Sequence, residues 1–209
     1  LLAGCSTTGS SAKETDPEVQ EISVSLPAEL TTLDTTQTTD KVTFTVIQHL
    51  FEGSYRFDEK SQPVPGLAEE AVISEDGKTY TFKLKEEAKW SDGQQVQAAD
   101  FAYAWKKLVD PKTMGPNAYL LDNVVNSQDI REGKADIATI GLETPDEKTF
   151  VVHLEQLQPS FLSVVSIGWL APQRQSYVEE KGTAYGKTSE DLLYTGPFIL
   201  KDWQQTGAE

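Results

Sequence analysis

The stretch 74–111, SEDGKTYTFKLKEEAKWSDGQQVQAADFAYAWKKLVDP, carries three local signals in an unbroken row. Asp76-Gly77 supplies the positive-φ positions of a tight hairpin turn. Residues 79–85 then alternate strictly, with Tyr80, Phe82 and Leu84 on one side and Thr79, Thr81, Lys83 and Lys85 on the other, as in a strand with one buried face. A second turn, Asp92-Gly93, follows Trp90. Beyond it Ala98, Phe101, Ala102, Trp105, Leu108 and Val109 recur at helical spacing, and Asp110-Pro111 stops the helix because the residue before proline resists the αR region. At about 1.5–3 kcal/mol for each large side chain buried, Tyr80, Phe82, Trp90, Phe101 and Trp105 suffice to anchor a core. The stretch is scaffold, not chemistry.

Upstream of it, Ile22, Val24 and Leu26 alternate with polar residues up to Pro27, which predicts a first strand. Leu33-Asp34 opens a Thr-rich loop, and a helix follows with Thr39 or Asp40 as N-cap. Val46, Ile47, Leu50 and Phe51 form its apolar stripe, His49 lies off that stripe, and Gly53 suits the C′ position. Pro63-Val64-Pro65-Gly66 reads as a rigid turn, after which Ala71-Val72-Ile73 is expected to pair across Asp76-Gly77. Downstream, Asn126 or Ser127 caps a short helix that Gly133 ends. Residues 137–142 and 149–154 read as a second hairpin, which places Phe150, Val152 and Leu154 on one face and His153 on the other. Helices are expected at 159–165 and 173–181, and a strand at 197–203.

With 24% charged and 38% hydrophobic residues over 209 positions, the chain has an ordinary globular composition, large enough for one domain or two small ones. Its net charge of −15 excludes the basic footprint of a nucleic-acid partner. No apolar run is long enough to span a bilayer. The single cysteine, Cys5, permits no intrachain disulfide. Its context, Leu2-Ala3-Gly4-Cys5, resembles a bacterial lipobox, which implies a diacylglycerol on Cys5 and attachment to a membrane. Residues 6–17, rich in Ser, Thr and Gly, read as a flexible tether.

Catalytic constellations are scarce. HExxH, GxSxG, the P-loop and GxGxxG do not occur, and the two histidines, His49 and His153, have no metal-ligand neighbour at helical or turn spacing. Asp122, Asn123, Asn126 and Asp129 lack EF-hand spacing and read as helix caps. Neither an enzyme nor a cofactor is expected. Binding instead asks for polar loops with an aromatic or two on a rigid scaffold. Two stretches qualify: Thr38-Thr39-Asp40-Lys41 at a helix N-terminus, and Asn117-Ala118-Tyr119 after the central helix.

The run of strand, AKWSDG and ADFAYAWKKLVDP resembles the extracellular solute-binding proteins of peptide-type ABC transporters, the oligopeptide-binding family. Leu33-Asp34, Leu50-Phe51-Glu52-Gly53, Pro65-Gly66-Leu67-Ala68 and Thr195-Gly196-Pro197-Phe198 fall in the family's order. The resemblance implies an α/β periplasmic-binding-protein-like lobe, a mixed sheet with helices, into which an α+β domain is inserted, with a second lobe downstream of this chain. It divides the sequence into a lipobox remnant and tether (1–20), first lobe (21–52), inserted domain (53–170) and first lobe continued (171–209). It also implies an oligopeptide ligand, the permease subunits of an ABC importer as partner, a monomer, and a place on the outer face of the cell membrane or in the periplasm. Where the family's pattern has proline after Leu33-Asp34 this chain has Thr35, and the family's ligand-facing tyrosine falls on Tyr119 or Asn117. Rival readings are the same fold binding nickel, haem, a sugar or a peptide pheromone, and a surface hydrolase dependent on His49 or His153.

Overall fold

The sequence folds into short elements ordered by the pattern of its apolar residues, and a computed structural model describes residues 21–203. Helix α1 (Lys41–Leu50) is followed by strands β1 (Tyr55–Phe57), β2 (Pro63–Pro65), β3 (Val72–Ile73) and β4 (Thr79–Lys83). Then come α2 (Ala98–Val109), α3 (Ser127–Arg131), β5 (Leu142–Glu143), β6 (Thr149–His153), α4 (Phe161–Val165) and α5 (Gln175–Lys181). The strands form a two-stranded ladder, β1-β2, and a four-stranded sheet in the order β3-β4-β6-β5, antiparallel throughout. Cys5 and the tether lie outside the described residues.

The opening stretch folds into the expected strand and helix, and of the Asp76-Gly77 pair only Gly77 takes a positive φ. Asp76 accepts hydrogen bonds from the Ser74 hydroxyl (2.6 Å) and the Lys78 amide (3.0 Å), Gly77 takes φ 68°, and Ile73 pairs with Tyr80 across the turn. Tyr80, Phe82 and Leu84 are buried on one face, in the core they share with α2. A capping box starts α2, with the Gln97 amide donating to Asp100 Oδ2 at 2.9 Å. The Trp90 indole N–H donates to the same oxygen at 3.1 Å, which ties the Asp92-Gly93 turn to the helix. Burial nevertheless outweighs these bonds and pushes the Asp100 carboxyl above the ordinary aspartate range.

Two cores result. The larger gathers Tyr80, Phe82, Phe101, Trp105, Phe150 and Phe161 between the four-stranded sheet, α2 and α4. The second joins Leu33, Ile47, Leu50 and Phe51 to Ala171, Val178, Tyr185, Leu192 and Tyr194, residues from both ends of the described chain. Trp169 sits half-buried at the edge of the second core with its ring 4.7 Å from that of Phe44.

Several expectations need correction. Pro63 to Pro65 is a strand, not a turn. The flanking pairs Ser54–Gly66 and Asp58–Gln62 are the hydrogen-bonded ones, so the alternation of an antiparallel ladder puts both prolines opposite residues to which no N–H is owed. Residues 22–26 and 197–203 form no strand. Ile22 and Val24 remain exposed, and the Gly196 and Phe198 amides donate to the Leu50 and His49 carbonyls at the end of α1 instead of entering a ladder. The second hairpin has a shorter first arm, because Ile137–Thr139 winds into a 3-10 turn capped by Asp136 and only Leu142–Glu143 pairs with β6. Gly53 is not a left-handed cap: α1 ends at Leu50 with Phe51 already extended. A side chain at position 53 would meet the Tyr55 and Val165 carbonyls at 3.1 Å, so glycine serves close packing there.

Candidate functional site

The two loops singled out in the sequence meet. Asp40, and not Thr39, caps α1, accepting the Thr43 amide at 2.7 Å, and the hydrogen bonds from Thr43 and Thr38 prevail over slight burial to hold its carboxyl below the ordinary range. The loop after α2 passes beside this cap. Asn117 Nδ2 donates to the Thr38 carbonyl at 2.6 Å, and Gln37 Nε2 donates to the Thr113 carbonyl at 3.3 Å. Both loops therefore present one continuous rim.

Within that rim the residues divide by exposure. Thr38, Asn117 and Ala118 are buried and form its framework. Thr39, Asp40 and Lys41 face solvent. Tyr119, on a 3-10 turn (Ala118–Leu121), is 56% exposed, and Met114, in the left-handed region at φ 50°, is 81% exposed. The two loops thus expose an aromatic ring and a thioether on one side and a carboxylate, an ammonium and a hydroxyl on the other, apolar and polar groups together.

Beneath the rim lies a polar network that sequence reasoning missed. Asp34, nearly buried, accepts from Lys107 Nζ (2.8 Å), the Thr36 amide (3.0 Å), the Thr36 hydroxyl (2.7 Å) and Gln173 Nε2 (2.9 Å). Lys107 also donates to Gln173 Oε1 at 3.0 Å and lies 5.1 Å from the centre of the Tyr185 ring. Burial raises the Asp34 carboxyl, but the Lys107 ammonium with the Thr36 and Gln173 donors outweighs it, and the group is held below the ordinary aspartate range. Burial pushes the Tyr185 hydroxyl well above the tyrosine range, with Asp34 adding to the effect. Gly186 closes the network from the third side. Its carbonyl accepts the Leu33 amide at 2.8 Å, its φ is 74°, and a Cβ there would fall 2.5 Å from the Asp34 nitrogen. No local pattern betrays these partners, which lie 73 and 139 positions from Asp34.

The histidines stand apart from this rim. His49 is exposed in the last turn of α1, its Nδ1 2.7 Å from the Thr45 carbonyl. His153 lies on the outer face of the sheet between Thr79 Oγ1 (3.2 Å) and Glu143 (2.9 Å). That order of groups resembles a catalytic relay. However, the Thr79 amide and carbonyl are committed to the Ser74 hydroxyl and amide, so Thr79 has no free N–H to offer an oxyanion. The three residues are cross-strand neighbours on strands β4, β6 and β5.

Residues 62–208 match the family described as bacterial extracellular solute-binding proteins, family 5 Middle. The dipeptide-binding protein of Lactococcus lactis is 38% identical over 184 residues, which are 88% of this chain and 34% of that protein. The probable deoxycholate-binding periplasmic protein YgiS of Escherichia coli is 35% identical over 174 residues, 82% of this chain and 32% of that protein. Among solved structures, Listeria monocytogenes OppA bound to peptide superposes with a TM-score of 0.83 at 36% identity, over 86% of this chain and 36% of that one. The chain thus spans about a third of the length of the relatives it matches.

Proposed function

Because this chain belongs to the bacterial extracellular solute-binding proteins of family 5, we propose that it is part of a binding lipoprotein that captures oligopeptides outside the cell and delivers them to the permease subunits of an ABC importer. The observation that carries the reading is the Asn117–Thr38 hydrogen bond, which joins two loops into one solvent-facing rim on a rigid support. Thr39, Asp40, Lys41 and Tyr119 are the side chains that reach the solute, while Thr38, Asn117 and Ala118 shape the surface. An extended peptide suits such a rim, since its backbone takes hydrogen bonds of strand type and water completes the contacts of varied side chains. The names of the Lactococcus and Listeria relatives support a peptide over the other solutes.

The division at residues 53 and 170 is favoured by the buried members of the second core, which come from 30–51 and 171–194, while Tyr103 and Trp169 pack on it from the inserted part and Leu193 joins the larger core. In this reading 21–52 and 171–209 build one lobe and 53–170 the inserted domain. Cys5 carries the lipid that anchors the protein, and the monomer works on the extracellular face of the cell membrane or in the periplasm. Binding without turnover is the activity.

Tyr119 provides the test. In the full-length protein, Tyr119→Ala is expected to weaken peptide binding about tenfold, as an exposed aromatic anchor would, while leaving the unfolding midpoint unchanged. Isothermal titration of both proteins with defined short peptides measures it. Equal affinities would remove Tyr119 from the contact surface.

A further inference from the structure

The solute-facing rim owes its shape to a residue that touches no solute. We infer that Lys107 is a positioning residue: its ammonium, reaching from α2 under the 34–41 segment, fixes the conformation in which that segment meets its ligand. This rests on the reading that the rim faces the solute.

The geometry accounts for each link. Lys107 has three N–H donors, and the structure supplies Asp34 Oδ2 at 2.8 Å, Gln173 Oε1 at 3.0 Å and the face of the Tyr185 ring at 5.1 Å. Its side chain is 18% exposed and that of Asp34 is 10% exposed, so the pair is held largely out of water. Asp34 in turn shapes the backbone after it. Its carboxylate takes the Thr36 amide and hydroxyl, and its carbonyl takes the Gln37 amide, which closes a turn over 34–37. Thr38 then enters its bond with Asn117, and Asp40 caps α1. Hydrogen bonds hold each part of this path, and the peptide bond from Gln37 to Thr38 joins the turn to the rim.

Removing the ammonium leaves the Asp34 carboxylate in a site that no longer compensates it. The carboxylate regains solvation by turning toward water, and the 34–37 turn moves with it. The larger core does not depend on this bond: the sheet, with β4 and β6 at its centre, is packed by Phe82, Phe150 and Trp105, none of which touches Lys107 through any bond named above. The effect of losing Lys107 is therefore confined to the rim and the adjoining Tyr185 side of the second core, and does not reach the sheet.

The experiment uses the full-length protein as Lys107→Met and Lys107→Arg, with amide hydrogen exchange and titration by a defined short peptide. For Lys107→Met the expected result is exchange faster by about tenfold in 34–41 with β4 and β6 unchanged, and peptide binding weaker by about tenfold. Lys107→Arg, which keeps the charge and can pair with the carboxylate, restores both. Exchange that rises equally in β4, β6 and 34–41, without rescue by arginine, would reduce Lys107 to a general stabiliser and overturn the inference. Unchanged exchange in 34–41 would overturn it as well. A wild-type protein that binds no peptide, but whose 34–41 exchange still responds to Lys107→Met and recovers in Lys107→Arg, would refute the peptide reading and uphold the positioning role.

Discussion

Trp105→Ala is expected to lower the stability of the fold by about 3–5 kcal/mol, the range for truncating a large buried aromatic. The ring is 1% exposed and meets Phe150 edge-on at 5.0 Å and Phe161 at 6.5 Å. Its indole N–H donates to the Leu170 carbonyl at 3.0 Å. Alanine therefore loses three things at once: transfer energy, contacts lining a new cavity, and the partner of a buried carbonyl. Leu170 stands immediately before Ala171, where the chain passes from the larger core into the second, so the same bond fixes the junction between them. Trp105→Phe separates the contributions, since it keeps most of the ring and loses the donor, at about 1–3 kcal/mol for the unsatisfied carbonyl plus a smaller packing loss. Urea titration followed by circular dichroism measures both. Equal midpoints for wild type and Trp105→Ala would mean that α2 does not organise the larger core.

Cys5→Ala is expected to move the full-length protein from the membrane fraction to the supernatant almost completely. Two acyl chains on one residue suffice for stable attachment, whereas a single chain holds only marginally. Among the described residues no helix is long and apolar enough to cross a membrane. Leu2-Ala3-Gly4-Cys5 resembles a lipobox, and the run from 6 to 17 is rich in Ser, Thr and Gly. Metabolic labelling with a radioactive fatty acid, followed by fractionation, measures both attachment and modification. Label retained on the Cys5→Ala protein would sink the assignment.

The elements legible in the sequence were those whose signals are local. The Asp76-Gly77 turn, the alternation of Tyr80, Phe82 and Leu84, and the helical period from Ala98 to Val109 each lie within a dozen residues; the strand and helix form as read, and the turn falls where expected but closes over 75–78 with only Gly77 at positive φ. Pro63 and Pro65 misled because their composition argues for a turn, while their role depends on register against Tyr55–Phe57. Residues 22–26 and 197–203 read as strands but form no ladders among the described residues, since a strand is decided by a partner edge and not by its own pattern. The site divides the same way. Both loops could be located from polarity and their place beside helices. The bond from Asn117 to Thr38 could not, nor could the pairing of Lys107 and Gln173 with Asp34, because contacts across so many positions leave no periodicity to read.

Native mass spectrometry of the gently purified full-length protein, followed by denaturation and identification of what is released, tests the central claim most directly. A capture protein for oligopeptides with a hydrated, tolerant rim releases a mixed population of short peptides. A single metal, haem, sugar or sterol-like solute would contradict the peptide reading while keeping the family, and a protein that is empty and takes up nothing from a peptide library would contradict it outright.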